Sequence, residues 1–167
     1  MKKYLGALAI LALLCSSHPA QAEETKADFF QQLQLPKDKI PKSCKAEEVP
    51  QDSPLGKDMT NPGVTTDLAL IKNATQEDDI SLCQVKAMYF GVYKAGSSEA
   101  GTFAWQFDSE ANAKQTYDKL LAKHAKDSDT MKIWLKDLNV VMVWHDPGAS
   151  TPCYKAFKSH VEKILGK

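Results

Sequence analysis

The stretch Thr130–His145, TMKIWLKDLNVVMVWH, decides how the second half of the chain folds. In its first half Met, Ile and Leu alternate with Lys132, Trp134 and Lys136. Alternation at every second residue is typical of a strand with one apolar face and one face of different character. The DLN sequence that follows is short enough for a tight turn, and Val140–His145 is apolar on both faces. The stretch therefore predicts a β-hairpin whose second strand is buried on both sides.

A second hairpin and a helix are predicted upstream of this stretch. Val85–Lys94 (VKAMYFGVYK) is rich in aromatic and branched residues, which favours a strand. After a glycine- and serine-containing turn, Gly101–Phe107 alternates aromatic with small or polar residues and predicts the pairing strand. An apolar stripe at helical spacing then indicates a helix that is capped by Asp108 or Ser109 and runs to about Lys126.

A final helix completes the predicted fold. Pro152 suits the first turn of a helix, and an apolar stripe follows it at helical spacing: Cys153, Phe157, Val161, Ile164 and Leu165. The order of elements is β-β-α-β-β-α. It predicts an α+β domain over residues 80–167, with a small antiparallel four-stranded sheet and both helices packed on one face.

The N-terminal half is organised differently. Residues 1–22 combine two lysines, a short apolar run and the small residues of an AQA sequence, which predicts a signal peptide cleaved after Ala22. The apolar run falls short of the roughly 20 residues that a membrane-spanning helix needs. Residues 23–79 predict a short helix and a proline-rich irregular arm that packs on the sheet, with Pro36 ending the helix.

The leader predicts a periplasmic or secreted protein with no integral membrane segment after cleavage. Cys15 offers an alternative, because a cysteine at the end of an apolar run can carry a lipid anchor. Leu14 argues against it, since lipidation favours a small residue directly before the cysteine.

Charge and composition exclude one class of partner. The chain has 21 lysines, no arginine and 21 acidic residues, and cleavage removes two of the lysines, which leaves a net charge of −2. Arginine is the residue best suited to bidentate recognition of phosphate and guanine. No nucleic acid partner is therefore expected.

The cysteines predict one disulfide bond. Cleavage leaves Cys44, Cys83 and Cys153, and an oxidising compartment favours a bond between two of them. The spacing leaves the pairing open and contains no C-x-x-C motif, so it favours neither thioredoxin-type chemistry nor a common zinc site. No cofactor and no metal are predicted.

One constellation could support catalysis. Cys153 lies in the first turn of the predicted last helix, where the helix dipole favours a thiolate, and His145 ends the strand before it. A thiol- or metal-dependent envelope enzyme that uses these two residues is therefore an alternative function. The simpler interpretation is that Cys153 belongs to a disulfide or to the core.

The leading hypothesis is an exported, non-enzymatic binding module. The expected helix-covered face carries Phe103, Trp105, Phe107, Met131, Ile133, Leu135, Val140, Met142 and Trp144. The opposite face shows Trp134, Val141 and Val143, with Lys132 and Lys136 beside the indole, and needs cover from the N-terminal arm, a ligand or a partner. These five residues form the predicted patch for a small molecule or an envelope protein. An inhibitor or immunity-type protein is a further alternative.

Overall fold

The computed structural model describes residues 29–48, 60–74, 84–147 and 152–167. The predicted signal peptide (1–22), Cys15 and Cys83 lie outside the described residues. Within those four ranges, every helix is too short or too polar to cross a membrane.

Six strands and four α-helices make up the described chain. In chain order they are α1 (described residues 29–33), β1 (Lys45–Ala46), β2 (Gly63–Thr65), α2 (Leu68–Ala74), β3 (Val85–Ala95), β4 (Ser98–Phe107), α3 (Glu110–Lys123), β5 (Met131–Lys136), β6 (Asn139–His145) and α4 (Pro152–Ile164). A single 3-10 turn, Lys37–Lys39, lies between α1 and β1.

All six strands belong to one antiparallel sheet, so the predicted mixed α+β class is confirmed. The sheet order is β1-β3-β4-β6-β5, and β2 also pairs with β3. The prediction of four strands in β-β-α-β-β-α order is wrong, because β1, β2 and α2 precede β3. Strands of two and three residues are too short to show an alternating pattern, so only their main-chain pairing with β3 identifies them.

The helices lie on both faces of the sheet, which corrects the predicted arrangement on one face. Helices α2 and α3 cover one face through Ile71, Ala113 and Leu120, which contact Val85, Met88, Phe90, Trp105, Phe107, Val140 and Met142. Helices α1 and α4 cover the other face through Phe30, Leu33, Phe157 and Val161, which contact Tyr89, Tyr93, Ala104, Val141 and Val143. The physical reason is that β6 is apolar on both faces and needs two covering layers.

Local signals fix the ends of the elements that frame the site. The Ser109 hydroxyl accepts a hydrogen bond from the N–H of Asn112 and caps α3. The β3–β4 turn uses Gly96 at φ +67°, a conformation that glycine adopts without a steric penalty. Asp137 takes φ +51° in the β5–β6 turn. Aspartate tolerates this region better than most residues, so both turns carry a residue type that suits their backbone conformation.

Candidate functional site

Strand β5 forms an open edge of the sheet. Among the described strands it pairs only with β6, in an antiparallel register that places Lys132 opposite Val143 and Trp134 opposite Val141. We call the outer side of Met131–Lys136 the open edge. It spans six residues without a proline, so each of its residues keeps a main-chain N–H group.

Two hydrogen bonds fix which main-chain groups of β5 point outward. The N–H of His145 donates to the carbonyl oxygen of Thr130 at 2.9 Å, so the main chain at position 130 faces β6. The N–H of Met131 instead donates to the carbonyl oxygen of Asp127 at 2.9 Å, away from β6. Hydrogen-bonded pairs alternate along an antiparallel ladder. The even-numbered residues of β5 therefore bond to β6, and the odd-numbered ones face the open edge.

Ile133 and Leu135 consequently present their main chain to the outside. Each offers one N–H donor and one C=O acceptor on the side away from β6. Their side chains contact the core on the α3 face and are partly buried. The open edge thus combines firmly packed side chains with four main-chain groups that a further strand could use.

On the α4 face, Trp134 lies between Lys132 and Lys136. The indole is partly buried and contacts the core cluster beneath α1 and α4, while Lys136 is exposed and Lys132 is partly exposed. Val141 and Val143 are fully buried in that cluster. These two valines therefore belong to the core and are not surface residues of the predicted patch, because the other residues of the cluster cover them.

Neither lysine is neutralised in a buried ion pair. Within the described ranges, Lys132 has no carboxylate within ion-pair distance, and the Lys136 ammonium lies 3.6 Å from the Asp137 carboxylate, with both groups well exposed. Exposed pairs of this kind contribute little to stability and remain open to competition. The open edge therefore carries two available positive charges, one on each side of an aromatic ring.

A shallow depression adjoins the other face of the open edge. It has a volume of about 360 Å³ and is lined by Glu110, Lys114, Leu135, Lys136 and Asp137. The sequence offered no signal for it, because the start of α3 and the end of β5 meet only in the folded chain. The depression gives a side chain on this face a place to lie.

Two buried amide groups lie beside Lys136 on the α4 face. Gln106 and Asn139 are Cα partners across β4 and β6, and both are about 6% exposed. Within the part of the chain that the structure describes, the Gln106 Oε1 and Asn139 Oδ1 atoms have no hydrogen-bond partner. Buried carbonyl oxygens normally accept a bond from protein or water, so this end of the patch has unused acceptor capacity.

Cys153 is bonded to Cys44, which confirms the predicted disulfide and resolves its pairing. The Cα atoms are 5.7 Å apart, and the two residues are separated by 109 positions in the sequence. The bond joins the segment before β1 to the first turn of α4. In this oxidised state Cys153 has no thiol to supply as a nucleophile.

His145 holds the end of β6 in place. Its ring nitrogens lie 2.7 Å from the carbonyl oxygen of Asp146 and 3.1 Å from that of Asp129, and its ring centroid is 4.3 Å from that of Tyr154. The ring is buried at 7% exposure. The structure therefore brings His145 close to the disulfide through Tyr154, but both of its nitrogens already have main-chain partners.

The described part of the chain contains no group of three His, Cys, Asp or Glu residues that could hold a metal ion. His160 in α4 is also a residue type that can bind metal. Its Nε2 atom lies 2.8 Å from the carbonyl oxygen of Gln32. This contact ties α4 to α1 and gives the histidine a structural role.

The opposite edge of the sheet is closed by side chains that the sequence did not single out. Lys94 of β3 forms ion pairs with Glu47 and with Glu99, the latter at 3.0 Å. The hydrogen bond to Glu47 makes the largest contribution to raising the pKa of Lys94, and the hydrogen bond to Glu99 makes the next largest. Asn61 fills the gap between β1 and β2, as its Nδ2 atom donates to the carbonyl oxygens of Glu47 and Val92 at 2.7 and 2.6 Å.

Comparison with known protein families, curated proteins and solved structures finds no match. What the open edge can do therefore follows from its own chemistry. It offers main-chain donors and acceptors, an aromatic ring and two cations on an otherwise well-packed sheet.

Proposed function

We propose that the protein is an exported, non-enzymatic binding module whose binding surface is the open edge with Lys132, Trp134 and Lys136. The observation that carries the proposal is the edge itself: within the described ranges no strand pairs with the outer side of β5, where Ile133 and Leu135 present their main chain, and an indole lies between two cations. A tryptophan with one apolar side packed and the rest accessible suits a contact surface. Cations on both sides add selectivity for a negatively charged partner.

The rigid support behind the edge favours binding. On β6, Val141 is paired with Trp134 and Val143 with Lys132, and both valines are fully buried. Helix α3 packs against the other face of β5. A preorganised surface loses little conformational entropy when a partner binds. The edge therefore has the stiffness of a recognition surface.

Export is supported by two independent features. The first 22 residues have the pattern of a cleaved leader, and the Cys44–Cys153 disulfide fits an oxidising environment. We place the protein in the periplasm or outside the cell on these grounds.

Site-specific photo-crosslinking in the native host tests the binding surface. A photo-reactive phenylalanine derivative is placed at position 132 on the open edge, and a matched variant carries it at the exposed Lys155 of α4. We expect the derivative at position 132 to capture a partner that mass spectrometry identifies, and the one at position 155 not to do so. The purified partner is then titrated against the wild type and against Lys136→Glu.

We expect Lys136→Glu to weaken binding by about tenfold, because it replaces an attraction with a repulsion of similar size. Equal capture at positions 132 and 155, or unchanged affinity of Lys136→Glu, contradicts the proposed surface. The circular dichroism spectrum of each variant must match the wild type, as expected for substitutions outside the buried core.

Mass spectrometry of the protein from its own cells tests export. We expect a chain that starts at Glu23 and carries one alkyl group after denaturation without reductant, since only Cys83 would then be free. A full-length chain, or three alkylated cysteines, contradicts export into an oxidising compartment. A lipid on Cys15 would show a membrane-tethered protein instead.

A further inference from the structure

We infer that the partner is an extended protein segment that adds to β5 as a further antiparallel strand, with acidic side chains facing Lys132 and Lys136 and an apolar side chain over Trp134. This inference rests on the proposed binding function and specifies the chemistry of its partner.

The main chain of the open edge carries the first step. Ile133 and Leu135 direct their N–H and C=O groups outward, as the bonds made by Thr130 and Met131 establish. Outward-facing residues recur at every second position of a strand. The residues of an added antiparallel strand that hydrogen-bond to them recur with the same spacing. A partner segment of about five residues can therefore satisfy all four groups, as in strand addition to other sheet edges.

The side chains on the α4 face specify the charge of that segment. Residues opposite Lys132, Trp134 and Lys136 occupy positions without main-chain hydrogen bonds to β5, where facing side chains lie closest together. Opposite charges stabilise such cross-strand pairs, and like charges destabilise them. The pattern that fits is acidic, apolar, acidic at every second residue.

The α3 face specifies the residues between. Side chains that alternate with the acidic ones point to the same face as Met131, Ile133 and Leu135, which are all partly buried apolar residues. The depression beside Leu135 gives one of them room. Branched apolar residues fit this face and also favour the extended conformation.

A second copy that pairs symmetrically about Trp134 is disfavoured by its charges. If two β5 strands pair antiparallel about Trp134 with their faces aligned, Lys132 of each copy lies opposite Lys136 of the other. Two like-charged pairs oppose that arrangement. Charge complementarity therefore favours an acidic segment of a different protein.

A peptide titration followed by NMR tests the inference. The probe is the acetylated and amidated peptide TEVLVET, which in an antiparallel strand places glutamates opposite the lysines, leucine opposite Trp134 and the two valines opposite Ile133 and Leu135. We expect the amide protons of Ile133 and Leu135 to become protected from exchange. We also expect binding about tenfold tighter than that of the charge-reversed control TKVLVKT.

Two controls separate strand addition from simple charge attraction. Methylating the amide nitrogens of both valines in the probe removes the donors that would face Ile133 and Leu135, so we expect binding to be lost. The double variant Lys132→Glu with Lys136→Glu should instead prefer TKVLVKT. The inference is overturned if millimolar TEVLVET leaves the amide protons of Ile133 and Leu135 unprotected. It is also overturned if the methylated probe binds as tightly as the unmethylated one.

Failure here differs from failure of the proposed function. Photo-crosslinking at position 132 detects a partner of any conformation, whereas the methylated probe reports on main-chain pairing alone. A partner captured at position 132 together with equal binding of the methylated probe keeps the binding surface and removes strand addition.

Discussion

The two edges of the sheet are built in opposite ways. At the closed edge, the eleven-residue β3 is flanked by two short strands, β1 and β2, placed end to end. The Asn61 side chain fills the gap between them and bonds to both main-chain groups of Val92. At the open edge, β5 runs for six residues and none of the described strands pairs with its outer side.

This difference shows at which edge the fold blocks pairing with a further strand and at which edge it permits that pairing. Short, interrupted strands and side chains bonded to the main chain are common ways of blocking an edge. The closed edge uses both and adds the Lys94 ion pairs with Glu47 and Glu99. The open edge has only lysines, which prevent pairing with neutral or basic strands and favour an acidic one.

Removing the disulfide should have the largest effect on the closed edge. Cys44 precedes β1 directly, and its bond to Cys153 closes a loop of more than 100 residues in the unfolded chain. We expect the double variant Cys44→Ala with Cys153→Ala to lose about 4 kcal/mol of unfolding free energy. Urea denaturation of the oxidised wild type and the variant measures the loss.

Hydrogen exchange should locate that loss. Amides of β1 and the C-terminal half of β3 should exchange faster in the double variant, while those of β5 change less. A loss below about 1 kcal/mol, or exchange at β1 that accelerates no more than at the amides exchanging through global unfolding, would contradict the tethering role given to the bond.

The next largest effect should come from the gap between β1 and β2. Asn61→Ala removes the bonds to the carbonyl oxygens of Glu47 and Val92 and the bond from the N–H of Val92 at 2.9 Å. Because these main-chain groups are partly buried, we expect a loss of about 2 kcal/mol. The matched control is Asn112→Ala, which removes only an exposed bond to Asp108 and should cost about 0.5 kcal/mol. Equal losses in the two variants would show that Asn61 does not close the edge.

Alkaline pH should weaken the closed edge more gradually. Burial, with a smaller contribution from Tyr93, raises the pKa of Tyr89, and hydrogen bonds to Glu47 and Glu99 raise that of Lys94. The folded state therefore holds these protons more tightly than the unfolded chain. The associated stability is fully present below the ordinary pKa values of about 10 to 10.5 and is lost as the pH rises through the folded values.

Tyr89→Phe tests this pH dependence. The variant keeps the packed ring and removes one of the titrating groups, so its urea midpoint should fall less steeply between about pH 9 and 12 than that of the wild type. Identical slopes would mean that Tyr89 does not contribute to alkaline unfolding.

The smallest effect requires no substitution. In the free protein, the amide protons of Ile133 and Leu135 should exchange faster than those of Lys132 and Trp134, whose N–H groups face β6. Exchange measured residue by residue over β5 checks this alternation. Slow exchange at Ile133 and Leu135 without an added peptide would show that the edge is already covered.

Much of the sheet could be predicted from alternation along the sequence. The spacing of Trp105 and Met142 assigned them to one face and that of Val141 and Val143 to the other, and the structure confirms both assignments. The error concerned which helix covers which face. Both helices have a single apolar stripe, and a stripe shows that a helix packs on a sheet without showing on which side.

The candidate site was predictable only in part. Trp134 and its flanking lysines stand out as an indole on the face opposite the expected core, and the structure places all three on the edge strand. The burial of Val141 and Val143 was not predictable, because it depends on which face of the sheet α4 covers, and α4 covers theirs. The closed edge was not predictable, because Asn61, Glu47 and Lys94 are far apart in the sequence and become neighbours only through β3.

Local periodicity was enough to predict the strands of the two hairpins, the amphipathic helices and the two-sided burial of β6, because these features depend on patterns within a few residues. The disulfide partner of Cys153, the face that each helix covers and the strand left as an open edge became known only from the folded chain. These depend on contacts between residues distant in the chain, and their free energy comes from burial that no local pattern contains.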